Sequence, residues 1–196
     1  MEEKILHLTF DGAPHPPKTE ALLNVLDEFG IKATFFMEGH RLEKEPETAR
    51  RIIAAGHSVG NHSYSHRDML DLTLEECIEE IRRTDELIAQ ELHLQTSLVR
   101  PPNGHISDEF ADWLRARGKR VVVWNISVKD WTGPDAAAIA ERTIGLLTKP
   151  EIIMVLHDFV EWNPEALRTI IPEALRLGYT FVPLPMDADD SDGTAR

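Results

Sequence analysis

The chain has 196 residues and one cysteine, Cys77, so it can close no intramolecular disulfide and build no cysteine-rich metal site. Positive charge is scarce. Lys and Arg number 21 against 34 Asp and Glu, a net charge of −13, which leaves no basic excess to coat nucleic acid or an anionic membrane surface. No run of about 20 apolar residues is present to span a bilayer. Met1-Glu2-Glu3-Lys4 enters an apolar stretch without the basic and long apolar regions of a secretion signal. The expectation is a cytoplasmic protein, or a secreted one if a leader has been removed. Low-complexity sequence is absent before residue 186. The last eleven residues, 186–196, hold four Asp and are expected as an acidic, disordered tail.

What remains is an ordinary globular balance of 42% apolar and 28% charged residues. One domain over 1–185, with one sizeable core, is the expectation. Nine histidines are present, so any metal or acid–base centre must be built from His and carboxylates.

Punctuation by glycine organises the chain. Amphipathic stretches end at Gly30, Gly56, Gly118 and Gly178, and each is followed within a few residues by an apolar run. Glycine takes the left-handed position after a helix cheaply, and the apolar run is then a buried strand. The unit recurs roughly every 30 residues, as repeated βα units require. Thr73 with Glu76 fits a capping box, and Asn163 before Pro164 fits a cap with proline at the first helical position. Leu22, Val25, Leu26 and Phe29 form the apolar stripe of the first helix. Strands are predicted over 4–10, 33–37, 57–61, 98–100, 120–125, 151–156 and 180–184. Alternating with helices, these seven imply a parallel sheet, closed into a barrel or open and doubly wound.

Five of the seven strands end in ionisable residues: Asp11; His62, reaching His66; Arg100; Asp130, just beyond the fifth strand; and His157. In a βα barrel those ends form one face, where active sites lie. The spacing of His62 and His66 puts both imidazoles on one side of a helical turn, able to share a metal. His157, alone, reads as a buried histidine bonded to backbone. Beside a metal pair it is a candidate general acid, since its ordinary pKa is about 6.5. Arg100 needs a carboxylate partner, which Asp11 or Asp130 can supply. Trp131 and Leu156 can wall a small apolar pocket or belong to the core. His7, alternating with Leu6 and Leu8, reads as a core or layer residue. His15, His40, His57, His93 and His105 read as loop or surface, with His15 the best spare ligand. Cys77 reads as half-buried filler on a helix.

Five segments in order resemble the motifs of the polysaccharide deacetylase family, the NodB-homology domain or carbohydrate esterase family 4. They are Thr9-Phe10-Asp11-Gly12-Ala13-Pro14, His62-Ser63-Tyr64-Ser65-His66, Arg100-Pro101-Pro102-Asn103-Gly104, Asp130-Trp131 and Leu156-His157-Asp158. The likeness runs from Lys4 to about Pro185. It implies an α/β fold, the family's distorted (β/α)7 TIM-like barrel. It further implies that His62 and His66 hold a divalent metal, usually zinc, with cobalt or nickel able to serve. Asp11 would be the general base, oriented by Arg100. His157 would be the general acid, tuned by Asp130. The backbone near Asn103 would bind the oxyanion, and Leu156 with Trp131 would receive the acetyl methyl. In the first motif Gly12 stands where the family has its second Asp, a metal ligand, and Ala13 replaces a glycine. Asn103 stands where many relatives carry an aromatic residue.

The expected function is therefore metal-dependent removal of N-acetyl or O-acetyl groups from a carbohydrate of chitin-oligomer, peptidoglycan or acetylxylan type. A metal-poor, inactive or sugar-binding relative is the first alternative. A cytoplasmic hydrolase of small amides or imides on the same fold is the second.

Overall fold

The structure is a computed structural model that describes residues 3–187, so most of the expected tail lies outside the described residues. In chain order the elements are β1 (Lys4–Ala13), α1 (Lys18–Glu28), β2 (Thr34–Met37), α2 (Gly39–Lys44), α3 (Pro46–Ala54), β3 (Ser58–Asn61), α4 (Leu74–Leu92), β4 (Leu98–Val99), α5 (Asp108–Arg115), β5 (Arg120–Val121), β6 (Ile126–Ser127), α6 (Ala136–Gly145), β7 (Glu151–His157), α7 (Asn163–Arg176) and β8 (Tyr179–Phe181). All strand pairs are parallel, in the order β5-β4-β3-β2-β1-β7-β6, with β8 also on β1. β7 runs along one edge of β1. The other edge is shared by β8 at residues 4–6 and β2 at residues 9–13.

The expected fifth strand is corrected. Over 120–125 only Arg120 and Val121 pair with β4, and an additional strand, Ile126–Ser127, pairs with β7. This break dictates the curl of the sheet. β5 and β6 lie at opposite ends of a seven-strand path, which laid flat would separate them by about 29 Å. The five steps from Val121 to Ile126 span at most about 18 Å. The sheet must therefore bend round into an open barrel. Among the described residues, its seam is bridged by chain rather than by a β5–β6 ladder.

Alternation along the strands sorts core from site. Leu6, Leu8 and Phe10 of β1, with Ile152, Met154 and Leu156 of β7, join the core cluster with Leu22 and Leu26 of α1 and Leu167 and Ile171 of α7. The intervening residues of β1, Thr9 and Asp11, turn inward to Arg100. α4 starts as expected, with Thr73 Oγ1 accepting from the Glu76 N–H at 3.2 Å and the Glu76 carboxylate accepting from the Thr73 N–H at 2.9 Å. Asn163 differs. It is the first residue of α7, and its side chain caps nothing in that helix. Met186, the first residue of the expected tail, is tied in: its carbonyl accepts from the Ser97 N–H at 2.7 Å.

Two histidine and cysteine readings change as well. His57 is buried, not on the surface; its Nδ1 accepts from the Ala33 N–H at 3.0 Å, and burial pushes its pKa down to about 4. Cys77 is fully within the α4–α5 cluster and donates to the Met69 carbonyl.

Candidate active site

Asp11 ends the inward row of β1, and Arg100 follows β4. Arg100 Nη1 donates to Asp11 Oδ1 at 2.8 Å and to Thr9 Oγ1 at 2.7 Å, while its Nε donates to the Val122 carbonyl at 3.1 Å. The guanidinium lies over the Phe36 ring, 4.0 Å from its centroid. That ring needs Gly60 on the next strand, where a Cβ would stand 2.5 Å from it. Burial alone would raise the pKa of Asp11. The charge and hydrogen bond of Arg100, with His157 beyond, outweigh burial and hold the carboxyl ionised, below its ordinary value. Of the two partners open to Arg100 from the sequence, the structure selects Asp11.

His62 and His66 do not share a helical turn. They flank a loop in which Ser63 and His66 take left-handed backbone angles, φ 66° and 59°. The loop still brings the rings together, T-shaped, with centroids 4.9 Å apart. His62 Nδ1 is held by the Arg100 carbonyl at 2.8 Å, so Nδ1 carries the proton. Nε2 is left with a free lone pair, 3.7 Å from Asp11 Oδ2. Burial lowers the pKa of His62 and keeps the ring neutral, which suits a ligand.

His157 is the register partner of Asp11 on β7. Its Nδ1 lies 2.9 Å from Asp130 Oδ1, and an ionised carboxylate accepts, so Nδ1 is protonated there. Asp130 Oδ2 accepts from the His157 backbone N–H at 2.8 Å and from Asn163 Nδ2 at 2.6 Å. Burial would lower the pKa of His157, but the hydrogen bond and charge of Asp130, with Asp11 and Asp158 behind it, raise it. The edge of the Trp131 ring stands perpendicular to the imidazole at 4.9 Å.

Asp11, His62, His66, Asn103, Trp131 and His157 line one cavity of about 690 Å³. Asn103 takes φ 58°, and its amide donates to Asp68 Oδ2 at 3.1 Å. Leu156 is corrected to a core residue: it is fully buried on the other face of β7, and Val155 lines the cavity in its place. Sequence reasoning passed over Thr9, Asn163, Glu38 and Phe159. Thr9 was visible in the period-two alternation with Asp11. Glu38 was visible as an acid directly after an apolar strand.

A polysaccharide deacetylase family profile matches residues 1–122. The chain belongs to the polysaccharide deacetylase family. Over 180 residues it is 33% identical to the peptidoglycan-N-acetylmuramic acid deacetylase PdaC of Bacillus subtilis, a match covering 92% of this chain and 38% of that protein. The chain thus spans well under half the length of PdaC. Among solved structures, the Bc1960 peptidoglycan N-acetylglucosamine deacetylase superposes with a TM-score of 0.90 at 30% identity, covering 95% of this chain and 90% of that one. BA3943 of Bacillus anthracis, described as a pseudoenzyme of carbohydrate esterase family 4, superposes with a TM-score of 0.88 at 26% identity, covering 96% of this chain and 66% of that one.

The donors present fit a divalent metal in part. Two imidazoles face one cavity, and the carbonyl clamp on His62 Nδ1 is the kind of outer contact that aims a ligating nitrogen. Position 12 offers no side chain, and one placed there would be crowded. Gly12 takes φ 94°, and a Cβ there would meet the Phe159 ring at 3.1 Å and Asp158 Oδ1 at 3.4 Å. Among the described residues, no three His, Cys, Asp or Glu side chains are gathered around one point as a metal site requires.

Proposed function

We propose that this chain hydrolyses acetyl groups, N-acetyl above all, on a carbohydrate of the peptidoglycan or chitin-oligomer class. The observation that carries the reading is the pairing of two differently tuned groups, Asp11 and His157, on neighbouring strand ends in one cavity. Asp11 is held ionised by Arg100, and the hydrogen bond and charge of Asp130 raise the pKa of His157. Environments that push two titratable groups apart assign the base and the acid.

His62 and His66 would hold a divalent metal, zinc foremost and cobalt or nickel in its place, which when bound polarises the acetyl carbonyl and makes water acidic enough to lose a proton. Asp11 accepts a proton from the attacking water as oxygen bonds to the carbonyl carbon. Arg100, itself held by Thr9, fixes Asp11 so that it loses no orientation in doing so. The backbone near Asn103 stabilises the oxyanion. The carbon–nitrogen bond then breaks, and His157 Nε2–H gives its proton to the leaving nitrogen, so that acetate and a free amine depart. Trp131 and Val155 flank the acid and shelter the methyl group.

Release of acetate from N-acetylglucosamine oligomers or peptidoglycan with zinc, cobalt or nickel added tests this directly. No release with any of the three overturns it. A second reading, a sugar-binding relative without hydrolysis, is favoured by the glycine at position 12 and by the likeness to a pseudoenzyme. Under it the same oligomers bind in calorimetry and are recovered intact.

A further inference from the structure

One wall of the cavity has no part in that mechanism. Trp124 stands in the segment that bridges the seam between β5 and β6, and it lines the cavity with Asn103, Val155 and His157. The segment is pinned at both ends. The Val122 N–H donates to the Val99 carbonyl at 2.8 Å, and the Val122 carbonyl accepts from Arg100 Nε at 3.1 Å. The Asn125 N–H donates to the Ile153 carbonyl at 3.1 Å, and Asn125 Oδ1 accepts from the Ile153 N–H at 3.0 Å. Between these anchors Val123 is 46% exposed, while Trp124 is half-buried and turned to the site. Two contacts place its ring. The Arg100 guanidinium carbon lies 5.6 Å from the ring centroid. A Cβ at Gly104 would lie 3.4 Å from Trp124 Cη2 and 3.8 Å from Cζ2 and Cζ3, so the outer ring of the indole rests on that glycine.

We propose that Trp124 sets the length of the acyl group that the site accepts, as the wall that admits N-acetyl and stops N-propionyl or N-butyryl. This rests on the deacetylase reading for the reaction. The aromatic lining divides by position. Trp131 and Phe159 pack on the His157 ring, with centroids 4.9 and 5.1 Å away, on the side of the leaving nitrogen. Trp124 stands against Arg100, which holds Asp11, and against the turn at Asn103 and Gly104. A carbonyl carbon carries three substituents in one plane. With its oxygen at that turn and its nitrogen at His157, the alkyl group runs in the third direction, along the wall beside the turn. That wall is a flat, rigid ring with only two rotatable bonds. Its backbone is anchored at Val122 and Asn125, so it does not retreat to make room. One methylene too many in an apolar pocket costs about 10–200-fold in kcat/KM.

The test is the rate of carboxylate release from glucosamine oligomers carrying N-acetyl, N-propionyl or N-butyryl groups, with zinc, cobalt or nickel added, on the full chain. The wild type is expected to favour N-acetyl over N-propionyl by about tenfold or more in kcat/KM. Trp124→Phe removes the outer ring that rests on Gly104, and it is expected to lower that preference about tenfold. Trp124→Leu takes its place where Trp124→Phe does not fold. General damage to the site lowers both rates together and leaves their ratio, whereas loss of a wall moves the ratio. A wild type indifferent to acyl length, or a variant whose ratio matches wild type, overturns the assignment and leaves the deacetylase reading in place. If no oligomer is hydrolysed, the deacetylase reading falls, and the inference is read from calorimetric binding of the same intact oligomers. A preference for N-acetyl that Trp124→Phe erases then supports it, and equal affinities or no binding overturn it.

Discussion

Asp11 and Arg100 form an ion pair at 2.8 Å in which neither side chain is more than 4% exposed. The pair joins the end of β1 to the residue after β4, and it is braced by Thr9 below and the Phe36 ring behind. Removing one member leaves the other charge buried without a partner. Arg100→Met is expected to lower stability by about 3–5 kcal/mol at neutral pH, as measured by urea unfolding. Asp11 has a depressed folded-state pKa, so its contribution is present above the unfolded value of about 3.9 and is lost as pH falls through the folded value. The gap between wild type and Arg100→Met therefore narrows in acid. A gap that is constant with pH shows that the charge on Asp11 is not what Arg100 stabilises.

His157 is the converse case. Its folded-state pKa is raised, so the stability it gains from Asp130 is complete below the unfolded value of about 6.5 and is lost as pH rises through the folded value. Asp130→Asn is expected to lower the pKa of His157, read from its ring proton resonances. It also moves the alkaline limb of acetate release to lower pH. His157→Ala is expected to cut the rate about 10²–10⁴-fold, the usual worth of a positioned acid. An unchanged His157 titration in Asp130→Asn shows that the hydrogen bond is not the source of the shift.

An aspartate at position 12 would meet both the backbone and a neighbouring ring. The φ of 94° is one that L side chains rarely adopt, and the Phe159 ring stands at 3.1 Å from the new Cβ. Gly12→Asp is expected to destabilise by about 1–3 kcal/mol. Phe159→Ala relieves the contact but not the backbone, so the double variant recovers part of the loss, with a coupling of about 0.5–3 kcal/mol in a double-mutant cycle. Additive losses show that the ring yields without resistance.

Asp158 reverses the usual sign for a carboxylate. It is fully buried, Thr19 Oγ1 donates to its Oδ2 at 2.6 Å, its Oδ1 has no partner among the described residues, and burial pushes its pKa up to about 7. A raised carboxyl destabilises the fold progressively as pH rises from the unfolded value of about 4 to the folded value. Asp158→Asn keeps an acceptor for Thr19 and removes the charge. It is expected to be more stable than wild type at pH 8, with the advantage shrinking toward pH 4, in paired thermal melts. A difference that does not vary with pH means that Asp158 is ionised in both states.

The sheet and the face that carries the chemistry were legible because both follow simple periods. Apolar runs between glycines mark the strands, and Asp11, His62, Arg100 and His157 all lie at or just past strand ends. What the sequence hides is what the backbone does between such marks. The left-handed turn that brings His66 back to His62 has no glycine to announce it. The break after Val121 is invisible because Val122, Val123 and Trp124 continue the apolar run past the end of the pairing. Asn163 reads as a helix cap by its neighbour Pro164, and only the tertiary fold shows its amide spent on Asp130 and on the His157 carbonyl at 2.8 Å. Glu38 carries the same mark as the other strand ends, an acid directly after an apolar strand.

β1 is the first strand of the chain and among the last to be completed. Its long edge belongs to β7, and Thr9 Oγ1 donates to the Met154 carbonyl across 145 positions of sequence. Contacts of that separation form late, because a large loop must close before they return any energy. A chain still being synthesised holds Asp11 without His157 beside it, and the helix-facing side of β1 stays half covered until α7 docks. Base and acid are thus united by one of the two most sequence-distant pairings in the sheet, so the site needs both ends of the chain in place rather than being carried ready-made on one piece of it.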